Sequence, residues 1–220
     1  MSIKKIFLPE ASTISFFIFV FCFILDSNAE VNNSKYYSKD EGVVSIMYHR
    51  FNEYKYPSTN VQIDIFKEHL KIIKNSKFQF YNPIDFKKKF SIPKENKKIL
   101  ITIDDGFESF YNEAWPILKE KKIPFILFVS TDPVGKSGYM SWDQIKEIEK
   151  SNFAVIGHHS HTHGYLIDKT NKEFVADIEQ ANEIFLEKLG YIPILFSYPF
   201  GEYSKFMKDY ISKNFLFSFG

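Results

Sequence analysis

Short, continuous apolar runs alternate along this chain with stretches whose apolar residues recur at helical spacing. Val43-Val44-Ser45-Ile46-Met47-Tyr48 predicts a buried strand ending at His49. Residues 64–74, apolar at Ile65, Phe66, Leu70, Ile72 and Ile73, predict a helix. The β-branched run Ile99-Leu100-Ile101-Thr102-Ile103 then stops abruptly at Asp104-Asp105-Gly106. A helix over 111–121 leads into Phe125-Ile126-Leu127-Phe128-Val129, a strand bounded by Pro124 and a loop over 130–138. Ser141 with Gln144, and Thr170 with Glu173, form capping boxes; the first opens a helix to about Lys150 and the second a helix that Gly190 closes. Three further strands fall at Phe153-Ala154-Val155-Ile156, Ile194-Leu195-Phe196-Ser197 and Phe215-Leu216-Phe217-Ser218-Phe219.

Apolar strands separated by amphipathic helices imply an α/β fold with a parallel sheet under helices, either closed as a barrel or open and doubly wound. Position favours the barrel. His49, Asp104 with Asp105, His159 with His163, and Pro199 fall just after the C-terminal ends of four different predicted strands, and a parallel barrel gathers those ends at one mouth.

The first residues read as a targeting segment. Lys4 and Lys5 precede an apolar run over 14–25, and Ser27-Asn28-Ala29 offers small residues for a signal-peptidase cut after Ala29. The run falls short of the roughly 20 residues that span a bilayer as a helix, so a cleaved signal, and a secreted or periplasmic protein without a stable membrane span, is expected over an uncleaved anchor. The domain plan is therefore a signal peptide over 1–29, a polar lead-in over 30–42 and one catalytic-sized domain over 43–220.

Composition narrows the chemistry. Hydrophobic residues at 45% and charged residues at 25% are an ordinary globular balance, which excludes a disordered tail or a polytopic membrane protein. Lys plus Arg number 28 against 27 for Asp plus Glu, so no strong field is available to hold a nucleic acid backbone. The single cysteine, Cys22, lies in the targeting segment, so the mature chain has no thiol for disulfides, thiolate metal sites or nucleophilic catalysis.

Two clusters carry the candidate chemistry. In Asp104-Asp105-Gly106, adjacent carboxylates at a strand end point in different directions: one is able to bind a metal while its neighbour stays free to accept a proton. Alone, the motif equally describes a strand-terminating Asp-Gly turn. The second cluster, Gly157-His158-His159-Ser160-His161-Thr162-His163, places four of the six histidines within a few positions. His159 and His163 are four apart, a spacing that brings two imidazoles to one ion in a helix or a tight loop; His158 and His161 read as residues behind the ligands or at the surface, although spacing alone excludes neither as a ligand. A carboxylate plus two histidines leaves coordination positions open on a divalent ion for water and substrate. His69 reads as an ordinary, partly exposed helix histidine.

Taken together, Thr102-Ile103-Asp104-Asp105-Gly106, His159-Ser160-His161-Thr162-His163 and Ser197-Tyr198-Pro199-Phe200-Gly201 resemble, in order and spacing, the first three motifs of the polysaccharide deacetylases, the NodB-homology group or carbohydrate esterase family four. The resemblance covers residues 43–220 and implies a distorted (β/α) barrel with one divalent metal, usually zinc, with cobalt or nickel as alternatives. It further implies Asp104 as general base and Asp105, His159 and His163 as metal ligands. The main-chain N–H of Phe200, in the Pro199-Phe200-Gly201 turn, would face the oxyanion of the tetrahedral intermediate. The amine leaving group needs an acid, and no histidine follows His163. Met47-Tyr48-His49-Arg50-Phe51 is similar to the N-terminal segment of the poly-N-acetylglucosamine deacetylase branch, where the motif order is circularly permuted, and this makes His49 the candidate acid. Tyr139-Met140-Ser141-Trp142-Asp143 also resembles that branch, with Trp142 as a wall of the sugar groove or, equally, a packed core residue.

Two departures stand out. Ser197 occupies the place of the family's third-motif arginine, leaving Arg50, the only arginine, to orient Asp104. The chain also stops just after the last predicted strand, so the barrel is expected to be incomplete or open at an edge. The expected activity is metal-dependent removal of N-acetyl groups from an amino-sugar polymer: poly-N-acetylglucosamine, a chitin-like polymer or peptidoglycan. O-acetyl ester cleavage on another glycan, a non-catalytic glycan-binding protein and an inactive truncated fragment are the alternatives.

Overall fold

A computed structural model describes residues 42–87 and 97–220; the predicted signal peptide and nearly all of the lead-in lie outside the described residues. Among the described residues, nine strands run β1 (Val43–Tyr48), β2 (Arg50–Phe51), β3 (Asn60–Val61), β4 (Gln79–Phe80), β5 (Lys98–Ile103), β6 (Phe125–Val129), β7 (Ala154–His158), β8 (Leu195–Ser197) and β9 (Phe217–Phe219). Between them lie helices α1 (Ile63–Asn75), α2 (Trp115–Lys121), α3 (Trp142–Glu149), α4 (Asn171–Leu189) and α5 (Lys205–Asn214). The main sheet has the order β1-β5-β6-β7-β8-β9, with β4 against the start of β5, and every pair in it is parallel. It curls into a half-barrel under its helices, as the α/β barrel reading requires, and β1 and β9 remain its two ends.

Alternation along the strands sorts their side chains into two layers. Ile101 and Ile103 of β5, Phe125, Leu127 and Val129 of β6, and Ala154 and Ile156 of β7 join the core under the helices. Leu100, Ile126, Phe128 and Leu195 turn to the other face, where Tyr81 and Phe86 complete a second cluster. Continuing that inner row toward the C-terminal strand ends places Thr102 and Asp104 after Leu100, Gly157 and His159 after Val155, and Ser197 after Leu195. The inner face is thus apolar at one end of the strands and polar at the other, and the site forms at the polar end.

The predicted capping boxes at Ser141/Gln144 and Thr170/Glu173 are both made, and Gly190 closes α4 in the left-handed conformation at φ 82°. The helix expected over 111–121 instead begins as a wide π turn, Phe110–Ala114, and becomes α-helical at α2. Pro116 offers no N–H to the turn before it, which interrupts the regular hydrogen-bond ladder there. Helix α5 was not anticipated; Ser204 caps it, and only Met207 and Ile211 are buried along it. No helix among the described residues is long and apolar enough to cross a membrane.

Candidate active site

Four strand ends meet around a cavity of about 650 Å³ lined by His49, Asp104, Asp105, His159, His163, Ser197 and their neighbours. Asp104 continues the inward row of β5 and is 3% exposed; its N–H donates to Tyr48 O at 2.9 Å, which ties the end of β5 to that of β1. The next residue breaks the strand. Asp105 sits at φ 73° and Gly106 at φ 71°, a left-handed turn that aims the second carboxylate into the same cavity from a different direction.

The histidine segment resolves by the same alternation. His158, the last residue of β7, points outward among Phe185, Phe196 and Phe215, and burial pushes its pKa down to about 3. His159 points inward, and its Nδ1 lies 2.8 Å from Ser197 O. As the donor in that bond, Nδ1–H leaves the Nε2 lone pair free to face the cavity. His161 turns away to Thr131 Oγ1 at 2.7 Å, whereas His163, at φ 51°, returns to the site.

There, Asp105 Oδ1 stands 2.8 Å from His163 Nε2 and 3.3 Å from His159 Nε2. The contacts are short, yet Asp105 Oδ1 is buried and makes no well-aligned hydrogen bond with either ring. Three donor atoms within 4.8 Å of one another, oxygen and two imidazole nitrogens converging without proper hydrogen bonds, are the arrangement of a divalent-cation site. Burial would raise the Asp105 pKa, but the two imidazoles outweigh it and hold the carboxyl below the ordinary range. Asp104 behaves oppositely. Burial, reinforced by the charge of Asp105, outweighs the opposing influence of His159, His49 and the Ser197 hydrogen bond and raises its pKa. Its Oδ2 accepts from Ser197 Oγ at 3.0 Å and lies 4.0 Å from His159 Nε2, while its buried Oδ1 has no hydrogen-bond partner.

Beyond β8, Pro199–Gly201 forms a tight turn with Phe200 at φ 60° and 59% exposed, its ring 4.9 Å from that of His163. His49, Asp104, Asp105, His159, His163, Phe200 and Gly201 therefore share one cavity. Trp142 does not join them. Its half-buried ring packs edge-on against Phe185, 5.9 Å away, at the start of α3, the packed one of its two expected roles. Arg50 does not orient Asp104 either: its guanidinium bonds Glu53 at 2.7 Å and lies over the rings of Tyr56 and Phe107. Ser197, which the sequence marked only as a missing arginine, supplies the hydrogen bond to Asp104. Asp177, on α4, was not singled out at all, although it binds the histidine loop.

A model of the family "Polysaccharide deacetylase" matches residues 91–215. The poly-beta-1,6-N-acetyl-D-glucosamine N-deacetylase of Staphylococcus aureus (strain N315) is 31% identical over 126 residues, covering 54% of this chain and 43% of the relative. YxkH of Bacillus subtilis is 24% identical over 164 residues, covering 73% of this chain and 57% of that protein. The chain thus spans about half the length of the curated relatives it matches. Among solved structures, IcaB from Ammonifex degensii superposes with a TM-score of 0.71 at 27% identity, over 80% of this chain and 81% of that one. The Streptococcus pyogenes deacetylase PplD, in complex with acetate, shares the fold at a TM-score of 0.69 and 21% identity, over 79% of this chain and 81% of that one.

Proposed function

The chain belongs to the polysaccharide deacetylase family, and from that premise we propose that it is an exported, metal-dependent hydrolase that removes N-acetyl groups from a poly-N-acetylglucosamine-type polymer. The observation that carries the reading is the division of labour between neighbouring carboxylates: Asp105 faces two imidazoles, while Asp104 keeps a buried oxygen without a partner. The Staphylococcus aureus relative supports the choice of polymer, and the charged, apolar pattern of residues 1–29 supports export.

Asp105, His159 and His163 would hold the ion, which when bound supplies positive charge to polarise the acetyl carbonyl and acidify a water. Asp104 takes the proton from that water. Burial holds its pKa above the ordinary carboxylate value, which strengthens it as a base, and the Ser197 hydroxyl fixes its other oxygen. The developing oxyanion is met by the Phe200 N–H, because Pro199 has none and Gly201 donates its own to Tyr198 O at 2.9 Å. His49 delivers a proton to the departing amine nitrogen. It lines the same cavity, and its charge acts on Asp104. A glycan-binding module has no use for a carboxylate that keeps one buried oxygen unpartnered beside its metal site, which favours the enzyme reading. Acetate release from N-acetylglucosamine oligomers by the full chain should vanish on chelation and return with zinc; release that persists in fully metal-stripped protein would sink the proposal.

A further inference from the structure

We infer that Asp177 is a positioning residue for the metal site: its carboxylate fixes the loop that brings His163 to the cavity and to Asp105. The inference rests on the reading of Asp105, His159 and His163 as the ion-holding group.

The loop after β7 is an unusual piece of backbone. Ser160 and His163 are both in the left-handed region, at φ 69° and 51°, without being glycine. Such a path persists only if its surroundings hold it. Following each N–H from His159 to Gly164 shows what does so. His159 N–H donates to Val129 O at 3.0 Å, and Ser160 N–H donates to His158 Nδ1 at 3.0 Å. His163 N–H goes to Ser160 Oγ at 3.1 Å, and Gly164 N–H to Thr162 Oγ1 at 3.2 Å. The two N–H groups in between end on one side chain. His161 N–H donates to Asp177 Oδ1 at 2.7 Å, and Thr162 N–H donates to Asp177 Oδ2 at 3.2 Å. Thr162 Oγ1 adds a third bond to Oδ2 at 2.6 Å.

The two ligand histidines are therefore held by different means. His159 sits on the strand end, fixed through Val129 O and Ser197 O, and needs nothing from Asp177. His163 hangs from the far side of the loop, where a carboxylate on α4 gathers the backbone just before it. That platform is rigid in its own right, because Phe174, Ile178, Ala181 and Phe185 bury α4 on either side of Asp177. The carbonyls of Ser160 and His161 also stay fastened, to the N–H groups of Thr131 and Asp132. Removing the carboxylate frees the His163 half of the loop while leaving the fold and His159 in place.

The experiment is zinc affinity, measured by competition with a chelating dye, on wild type, Asp177→Asn and Thr162→Ala, beside the melting temperature of each metal-stripped protein. Asp177→Asn should weaken zinc binding by about 10- to 100-fold, the usual effect of disturbing the groups behind metal ligands, with little change in the metal-free melting temperature and turnover largely recovered at saturating zinc. Thr162→Ala deletes only the hydroxyl bonds and leaves all charges in place; a smaller loss in the same direction separates positioning from simple charge. Zinc affinity unchanged in folded Asp177→Asn overturns the inference alone. If Asp177→Asn fails to fold, unchanged affinity in Thr162→Ala overturns it. A wild-type chain that takes up no zinc overturns the reading of the ion site, and this inference with it.

Discussion

The curled sheet has a hollow at each end of its strands, and the two are built differently. At the N-terminal ends, a hollow of about 250 Å³ is lined by Ile84, Ala154, Ile156, Pro193 and Ile194 with a few polar neighbours. Left-handed residues near that end, Lys122 at φ 49° and Gly190 at φ 82°, terminate α2 and α4. At the C-terminal ends, the left-handed residues include Asp105, Ser160, His163 and Phe200, all at the cavity or in the loop that serves it. Buried Asp104 Oδ1 and Asp105 Oδ1 lack hydrogen-bond partners there as well. One end uses unusual backbone to stop helices; the other uses it, together with unsatisfied polar atoms, to aim reactive groups. Most of the non-glycine residues held in the left-handed region gather where the chemistry is.

Substitutions at the two ends should separate these roles. The largest effect is expected at Gly157, whose missing side chain makes room for Phe128: an added Cβ would lie 2.3 Å from that ring. Gly157→Ala should cost about 3 kcal/mol in urea unfolding, at the high end for overpacking. Because the Phe128 ring also neighbours His159, zinc binding should weaken too. Next comes Ser197→Ala, which deletes the hydroxyl bond to Asp104 and keeps the carbonyl that serves His159. Its kcat should fall about tenfold, roughly 1.4 kcal/mol, with bound metal unchanged. The smallest effect belongs to the other end. Gly190→Ala should lower stability by about 1 kcal/mol through its left-handed backbone and leave turnover per folded molecule untouched. A change in kcat there would erase the distinction between the two ends.

Much of this was legible in the sequence because strand ends and turn residues are local signals. The continuous apolar runs at β1, β5 and β6 and the two capping boxes carry their own geometry. The histidine cluster was only half legible: spacing paired His159 with His163 but gave no reason for His158 to turn away, whereas extending β7 to His158 lets simple alternation send His158 outward and His159 inward. Helix α5 escaped because Lys205, Lys208 and Lys213 dilute a short apolar stripe. Trp142, Ser197 and Asp177 depend on partners distant in the chain, such as Phe185 for Trp142 and Asp104 for Ser197, and no local pattern encodes those meetings.

The central claim is that two adjacent carboxylates do different work. It is tested most directly by measuring bound zinc and acetate release side by side in Asp104→Asn and Asp105→Asn. The account predicts that Asp104→Asn keeps its zinc and loses turnover by at least about 100-fold, the contribution expected of a general base, while Asp105→Asn loses the zinc itself. Full turnover in Asp104→Asn, or undiminished zinc in Asp105→Asn, would contradict it.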